Sequence, residues 1–305
     1  MTPSHDAPSL PALESILVTT DLSDLSDPIL RTAASLSEDR GAALHVIHAF
    51  DERQLPQASE RPTFQGRIAE AEHLLSQQIQ RCIGDAGRVS SRELVIYEAG
   101  KAIVERAREV QADLIVLGPH RRRSFADAYL GSTADYVVHH AEADCLIVRG
   151  GLDLPLGAVV VSTDFSESAR SALLAAAGWL HAFGRPDAEL LAVHVMEPSL
   201  GVDSPTAQLE AEVEAIVRST AADAGRVRPV ALEGEAVGEA LAAFAERERA
   251  DLLVIATSGY GALKRVLIGS VASSVARSAP CSVLLVRAGS AVPQRPAASG
   301  TGLGT

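Results

Sequence analysis

Aromatic side chains are scarce, only 4% of 305 residues, so the core must be built from Val, Leu, Ile and Ala. Cysteine is scarcer still: Cys82, Cys145 and Cys281 are odd in number and widely spaced. That excludes a disulfide framework, and no Cys-x-x-Cys or Cys/His cluster has zinc spacing, so reduced thiols and a cytoplasmic location are expected. Positive charge is also short, with 27 Lys and Arg against 39 Asp and Glu, a formal net charge of −12. Such a surface repels phosphate backbones, which argues against nucleic acid or an anionic membrane as the main partner. No apolar run reaches the roughly 20 residues that a spanning helix needs. The most apolar segment, SALLAAAGWLHAF (171–183), is too short and carries His181. The opening MTPSHDAPSLPALES has neither the basic start nor the apolar stretch of a secretory signal.

What is present is a globular composition, 47% hydrophobic and 22% charged, long enough for two domains. The chain is written twice. DLIVLG (113–118) matches DLLVIA (251–256), and Gly131-Ser132 matches Gly269-Ser270, both 138 positions apart. ILVTTDLSD (16–24) matches VVVSTDFSE (159–167) at 143, and LHVIHAF (44–50) matches LLAVHVM (190–196) at 146. ADCLIVR (143–149) matches 279–287 if the second copy has one extra residue near Ser282-Val283. Each copy alternates short β-branched runs with longer amphipathic segments. In the first, strands are expected at 15–21, 43–50, 92–98, 113–118 and 144–149, and helices at 27–40, 66–83, 101–111 and 131–141. In the second, strands are expected at 158–163, 189–196, 226–232, 251–256 and 282–287, and helices at 167–183, 205–224, 236–249 and 270–278. Asp27 reads as a helix cap, with Pro28 at the first helical position and Gly41 after the end. Strand–helix alternation predicts an α/β fold: two tandem doubly wound, Rossmann-like domains. Each would hold a five-stranded, mainly parallel sheet with helices on both faces. The expected bounds are 1–150 and 151–290, with 1–13 and 291–305 disordered and 150–157 as a linker.

In this fold, ligands are expected at the carboxyl ends of the strands. There the second copy reads ATSGYGALKRVLIGSV (256–271). Gly259 and Gly261 permit close backbone approach, and a helix opens at Gly269-Ser270 with unpaired N–H groups and a dipole that favours anions. Lys264 and Arg265 add charge. The segment reads as a phosphate seat or as a plain connecting loop. The first copy, GPHRRRSFADAYLGST (118–133), has His120 and Arg121–Arg123 in place of the glycines. Those arginines are either solvated and domain-contact residues or anion ligands. Asp21 and Asp164 follow the first strand of each copy and either enter the crevice or close an Asx-turn. His48 and His194 read as structural. His139-His140 point in different directions on a helix, which excludes a metal pair. Cys145, Cys281 and Trp179 read as packing residues.

These residues together resemble a tandem universal stress protein. The motif of that family's nucleotide-binding branch is Gly, two residues, Gly, nine residues, Gly, then Ser or Thr. The second copy fits at Gly259, Gly269 and Ser270, with Ala256 for the first Gly. The first fits at Gly118, Gly131 and Ser132, with Arg121 for the second Gly. STDFSESARSALLAA and RSAPCSVLLVR also resemble the family. The resemblance implies adenine nucleotide binding, ATP with or without magnesium, mainly in the second copy. Asp164 would meet the ribose or a metal, the Val195 backbone the adenine, and Ala256, Gly259, Gly269 and Ser270 the phosphates. The first-copy equivalents are Asp21, Ala49, Gly118, Arg121, Gly131 and Ser132. No dedicated metal site or catalytic group is expected. The implied role is stress response by binding rather than turnover, with slow ATP hydrolysis still compatible. The competing expectation is a protein-interaction module that uses the duplicated fold for assembly. An adenylating ligase would carry a different loop where TTDLSDLS and STDFSESA stand. Family members pair through their last strands, so the two halves are expected to form an internal pseudo-dimer. Further homodimerisation stays open.

Overall fold

The computed structural model describes residues 13–50, 64–84, 88–119, 130–196, 207, 209–211, 214–215, 226–257 and 268–287. The first half runs β1 (Ser15–Thr19), α1 (Asp27–Arg40), β2 (Ala43–Phe50), α2 (Phe64–Cys82), β3 (Ser91–Ile96), α3 (Ala99–Glu109), β4 (Leu114–Leu117), α4 (Ser132–His140) and β5 (Asp144–Ile147). The second runs β6 (Leu156–Ser162), α5 (Glu167–Phe183), β7 (Gly184–Met196), β8 (Arg226–Glu233), α6 (Val237–Arg247), β9 (Leu252–Ala256), α7 (Ser270–Ser278) and β10 (Ser282–Val286). Residues 207, 209–211 and 214–215 of the helix expected at 205–224 are helical. No helix of the described residues is long and apolar enough to cross a membrane.

All strands share one ten-stranded sheet, ordered β3-β2-β1-β4-β5-β10-β9-β6-β7-β8. Every neighbouring pair is parallel except β5–β10, where the halves meet antiparallel. Leu146 faces Leu284 there, flanked by Ile147–Val283 and Cys145–Leu285. β4–β5 pairs Leu114 with Asp144, and β9–β10 pairs Leu252 with Ser282. Both steps keep the 138-residue offset, so the last strands match without the extra residue that the sequence comparison allowed.

Strand alternation sorts the core into two layers. Ile16, Val18, Leu146 and Leu284 pack with α1 and α5 on one face. Leu17, Ile115, Ile147 and Leu285 pack with the α3–α4 and α6–α7 pairs on the other. Both layers run unbroken across the seam. Trp179 lies in the first, 6% exposed and tilted against Phe183 at 5.2 Å, as packing predicts. On the other face the helix pairs meet through a glycine. A Cβ on Gly100 would lie 2.8 Å from the Tyr136 Cβ, and one on Gly238 would lie 2.6 Å from the Ser274 Cβ. We expect Gly238→Val to destabilise the chain by about 1–3 kcal/mol in urea unfolding, through overpacking.

The caps correct one expectation. Gly41 ends α1 in the left-handed region at φ 67°, as expected. Asp27 does not cap; Ser26 holds that position, Asp27 is the first helical residue and Pro28 the second, one place later than the sequence suggested. Its carboxylate is committed elsewhere, as described below.

Candidate functional site

A cleft of ≈ 580 Å³ opens at the carboxyl end of the first-half sheet. Its floor is the end of β1 through Asp21, with His48 and Ala49 of β2 and Gly118 after β4. The first turn of α4, Gly131–Ala134, forms one wall, and Ala71 and Leu74 of α2 form another. Asp21, Ala49, Gly118, Gly131 and Ser132 are therefore brought together around one cleft.

The Asp21 loop is held tightly. Asp21 Oδ1 accepts the Ser23 N–H at 2.9 Å, the Ser23 hydroxyl at 2.6 Å and the Ser26 hydroxyl at 2.7 Å. This is an Asx-turn, and Leu22 inside it sits at φ 64°. The second half repeats it: Asp164 Oδ1 accepts the Ser166 N–H at 3.0 Å, and Phe165 also sits at φ 64°. A non-glycine residue in the left-handed region is costly and persists where surrounding contacts over-determine it. Both halves keep that strain at the carboxyl end of the sheet.

The histidines are structural. His48 is 5% exposed and pairs through Nδ1 with the Thr20 carbonyl at 2.8 Å. His194 does the same with the Thr163 carbonyl at 2.9 Å. A carbonyl only accepts, so each Nδ1 carries the proton. His140 stacks on Tyr136, and the His139 and His140 rings are 6.4 Å apart. No group of three His, Cys, Asp or Glu among the described residues is placed to hold a metal ion.

Strand periodicity explains how Ala49 meets the cleft. The Ile47 carbonyl accepts the Thr20 N–H at 3.0 Å, across toward β1. Two residues on, the Ala49 N–H and C=O point the same way, past the end of β1 and over the cleft. The Val193 carbonyl likewise accepts the Thr163 N–H at 2.9 Å, so Val195 stands in the same relation to β6.

Among the described loop glycines, space is restricted at Gly118 and open at Gly269, where an added Cβ would lie 3.6 Å from Thr257 O. Gly131 and Gly269 cap their helices at φ −62°, ψ 151° and φ −67°, ψ 155°, an ordinary extended backbone. Neither cap has a side-chain hydrogen bond, so among the described residues the first-turn N–H groups stay uncapped, and the first turn of α4 lines the cleft. The Gly131 N–H donates to Pro119 O at 2.7 Å and the Gly269 N–H to Thr257 O at 2.7 Å, closing both loops alike. A Cβ on Gly118 would lie 2.5 Å from Ile29 Cδ1. The second half distributes that volume differently, with Ala256 in strand β9 and buried Ala172 at the position of Ile29. Ala256 is not among the positive-φ residues, so its methyl costs no backbone strain. His120, Arg121–Arg123, Gly259, Gly261, Lys264 and Arg265 lie outside the described residues.

One network was missed by sequence reasoning. Gln78 of α2 is 1% exposed. Its carbonyl accepts the Thr20 hydroxyl at 2.6 Å, and its amide donates to Ser23 O and to Asp27 Oδ1, both at 2.9 Å. Arg81 clamps Asp27 with Nε to Oδ2 at 2.9 Å and Nη2 to Oδ1 at 2.7 Å. The wall α2 is thereby tied to the Asp21 loop. The available signal was Gln78 on the apolar stripe Leu75, Ile79 and Cys82, since a polar group on a core face needs a partner. The Arg81 hydrogen bonds hold the Asp27 carboxyl down at about 2, against burial. A depressed folded-state pKa adds stability above the ordinary carboxylate range that is lost as pH falls toward 2. Because the Arg81 side chain is 46% exposed, we expect only about 1–2 kcal/mol. Stability should fall between about pH 4 and pH 2, and Asp27→Asn should flatten that part of the curve.

A family model described as the universal stress protein family matches residues 13–149 and again 156–287. Universal stress protein Sll1388 of Synechocystis is 30% identical over 151 residues, covering 44% of this chain and 96% of that protein. A universal stress protein of Mycolicibacterium smegmatis is 25% identical over 301 residues, covering 89% of this chain and 96% of its own. The crystal structure of a universal stress protein from Archaeoglobus fulgidus shares the fold with a TM-score of 0.67 at 20% identity, covering 91% of this chain and 97% of that one. One family model thus accounts for both halves of the repeat, and the chain belongs to the universal stress protein family as a tandem of two of its domains.

Proposed function

We propose that this protein binds an adenine nucleotide, ATP, in the first-half cleft and acts in stress response as a sensor or regulator. The observation that carries this is the cleft itself. Its lining includes the first turn of α4, whose N–H groups have no partner among the described residues, and Ala49, whose backbone N–H and C=O face the cleft. The first set suits phosphates, and the second offers a donor and an acceptor to a base edge. Asp21 lines the same cleft, and in this reading it would meet the sugar. Two solved universal stress proteins are complexes with cAMP and with dAMP; for this chain the support is its own cleft.

The second half carries the fuller glycine pattern, and Asp164, Val195, Gly269 and Ser270 repeat the first-half geometry. A second nucleotide there is the accompanying proposal. A binding role rather than turnover fits the nucleophiles present. Burial pushes the Cys82 thiol up to about 11 and the Cys145 and Cys281 thiols up to about 12, so none is an activated thiolate.

The test is to purify the full chain without added nucleotide, denature it and quantify what is released. One adenine nucleotide per chain supports one working half, and two support both. No release, with no heat on titrating ATP and magnesium, would refute the proposal and favour the assembly module.

A further inference from the structure

Arg149 and Arg287 follow the last strand of each half at equivalent positions, and each reaches out of its own half. Arg149 Nη2 donates to Ala276 O at 2.7 Å and to Arg277 O at 2.8 Å, both in the last turn of α7. Arg287 Nη2 donates to Val138 O, in the last turn of α4. Val138 and Ala276 are themselves repeat equivalents. So are Asp144 and Ser282, whose side-chain oxygens accept the backbone N–H of Arg287 at 2.9 Å and of Arg149 at 3.2 Å. The exchange therefore obeys the two-fold relation of the repeat in four separate contacts.

These are costly placements. Arg287 is 8% exposed, and the Nε atoms of both arginines are buried without a hydrogen-bond partner among the described residues. A guanidinium is taken out of water only where something compensates. Here the compensation is a helix C-terminus, whose last carbonyls lack intrahelical donors and whose dipole favours a cation. Each helix has nine residues, so its two ends move as one short rod. The opposite end of α4 is the wall of the first-half cleft, and the opposite end of α7 begins at Gly269-Ser270.

We infer that Arg287 is a positioning residue for the first-half cleft and Arg149 for the N-terminus of α7, so that each of these helices is held by the other half. The ligand named below rests on the nucleotide reading; the crossed support does not.

Hydrogen exchange on the full-length chain tests it, comparing parent, Arg287→Met and Arg149→Met. Arg287→Met should speed exchange at Gly131 and across Ser132–His140 about tenfold while Gly269–Ser278 stays within about twofold, and Arg149→Met should give the reverse. Arg287→Lys keeps a cation and a donor and should restore most of the protection. In ATP titrations, Arg287→Met should weaken first-half binding by roughly threefold or more. Equal loosening of both helices in either variant would overturn the inference, as would loosening confined to the half that carries the substitution. If Arg287→Met does not fold, the two lysine variants give the same crossed comparison at smaller amplitude. If the parent binds no ATP, the nucleotide reading fails and the exchange pattern alone decides the crossed support.

Discussion

Leu284→Asp in the full chain is expected to prevent folding or to cost about 4 kcal/mol or more, and Leu146→Asp to do the same. Both leucines have no exposed surface, and they face each other at the centre of the β5–β10 seam. Helices cover both faces of that seam, so a carboxylate there has neither water nor a cation to meet. The effect follows from the continuity of the sheet. In a chain of two independent domains, these positions would lie on edge strands and would lack the cover that the other half's strand supplies. Urea unfolding measures the cost, with Leu25→Asp as the control. Leu25 is 51% exposed, and its substitution should stay within about 0.5 kcal/mol. Milder variants give a second check. Leu146→Ala and Leu284→Ala should each cost about 2–5 kcal/mol, and the double variant less than their sum, because they open one shared cavity. Full tolerance of Leu284→Asp would mean that the halves do not depend on one another.

Ser132→Glu should weaken ATP binding about 100-fold or more while leaving stability unchanged or slightly raised. Ser132 is exposed and is the first residue of α4. A carboxylate there occupies the place of a phosphate and repels it, removing an interaction of several kcal/mol. The same carboxylate favours the helix N-terminus by about 0.3–1 kcal/mol. Binding and stability thus move in opposite directions, which no general unfolding effect reproduces. Calorimetry with ATP and thermal unfolding of the same samples would show the split. Ser270→Glu is the matched variant for the second half, and it should leave the first-half component intact. Loss of binding together with a large fall in melting temperature would instead assign Ser132 a structural role.

The elements that the sequence revealed are those with a local cause. The central strands β4, β9 and β10 are nearly continuous Val, Leu and Ile runs, and both α1 and α5 fall where the pattern placed them. The repeat made the candidate site at the carboxyl end of each half legible, because Asp21 and Asp164, or Gly131 and Gly269, recur at matching places. What was not legible depended on partners distant in the chain. Asp27 has the residue type and position of a cap, yet Arg81 and Gln78, more than fifty residues later, claim its carboxylate. Nothing local to Arg149 or Arg287 points to their partners, which the antiparallel seam supplies from the other half's helix. β7 begins at Gly184, directly after α5, although GRPDA carries no strand pattern. Pairing of Leu156 with Gly184 across a register shift recruits it. The contributions of Arg121 and Gly259, which the loop comparison singled out, fall outside the described residues.

A crystal structure of the full chain grown with ATP and magnesium tests the central claim most directly. The account predicts phosphates against the amides of Ser132–Ala134, the base against the Ala49 backbone, and the ribose beside Asp21. Nucleotide found only at Asp164, Val195 and Ser270 with the first-half cleft empty, or no nucleotide at saturating concentration, would contradict it.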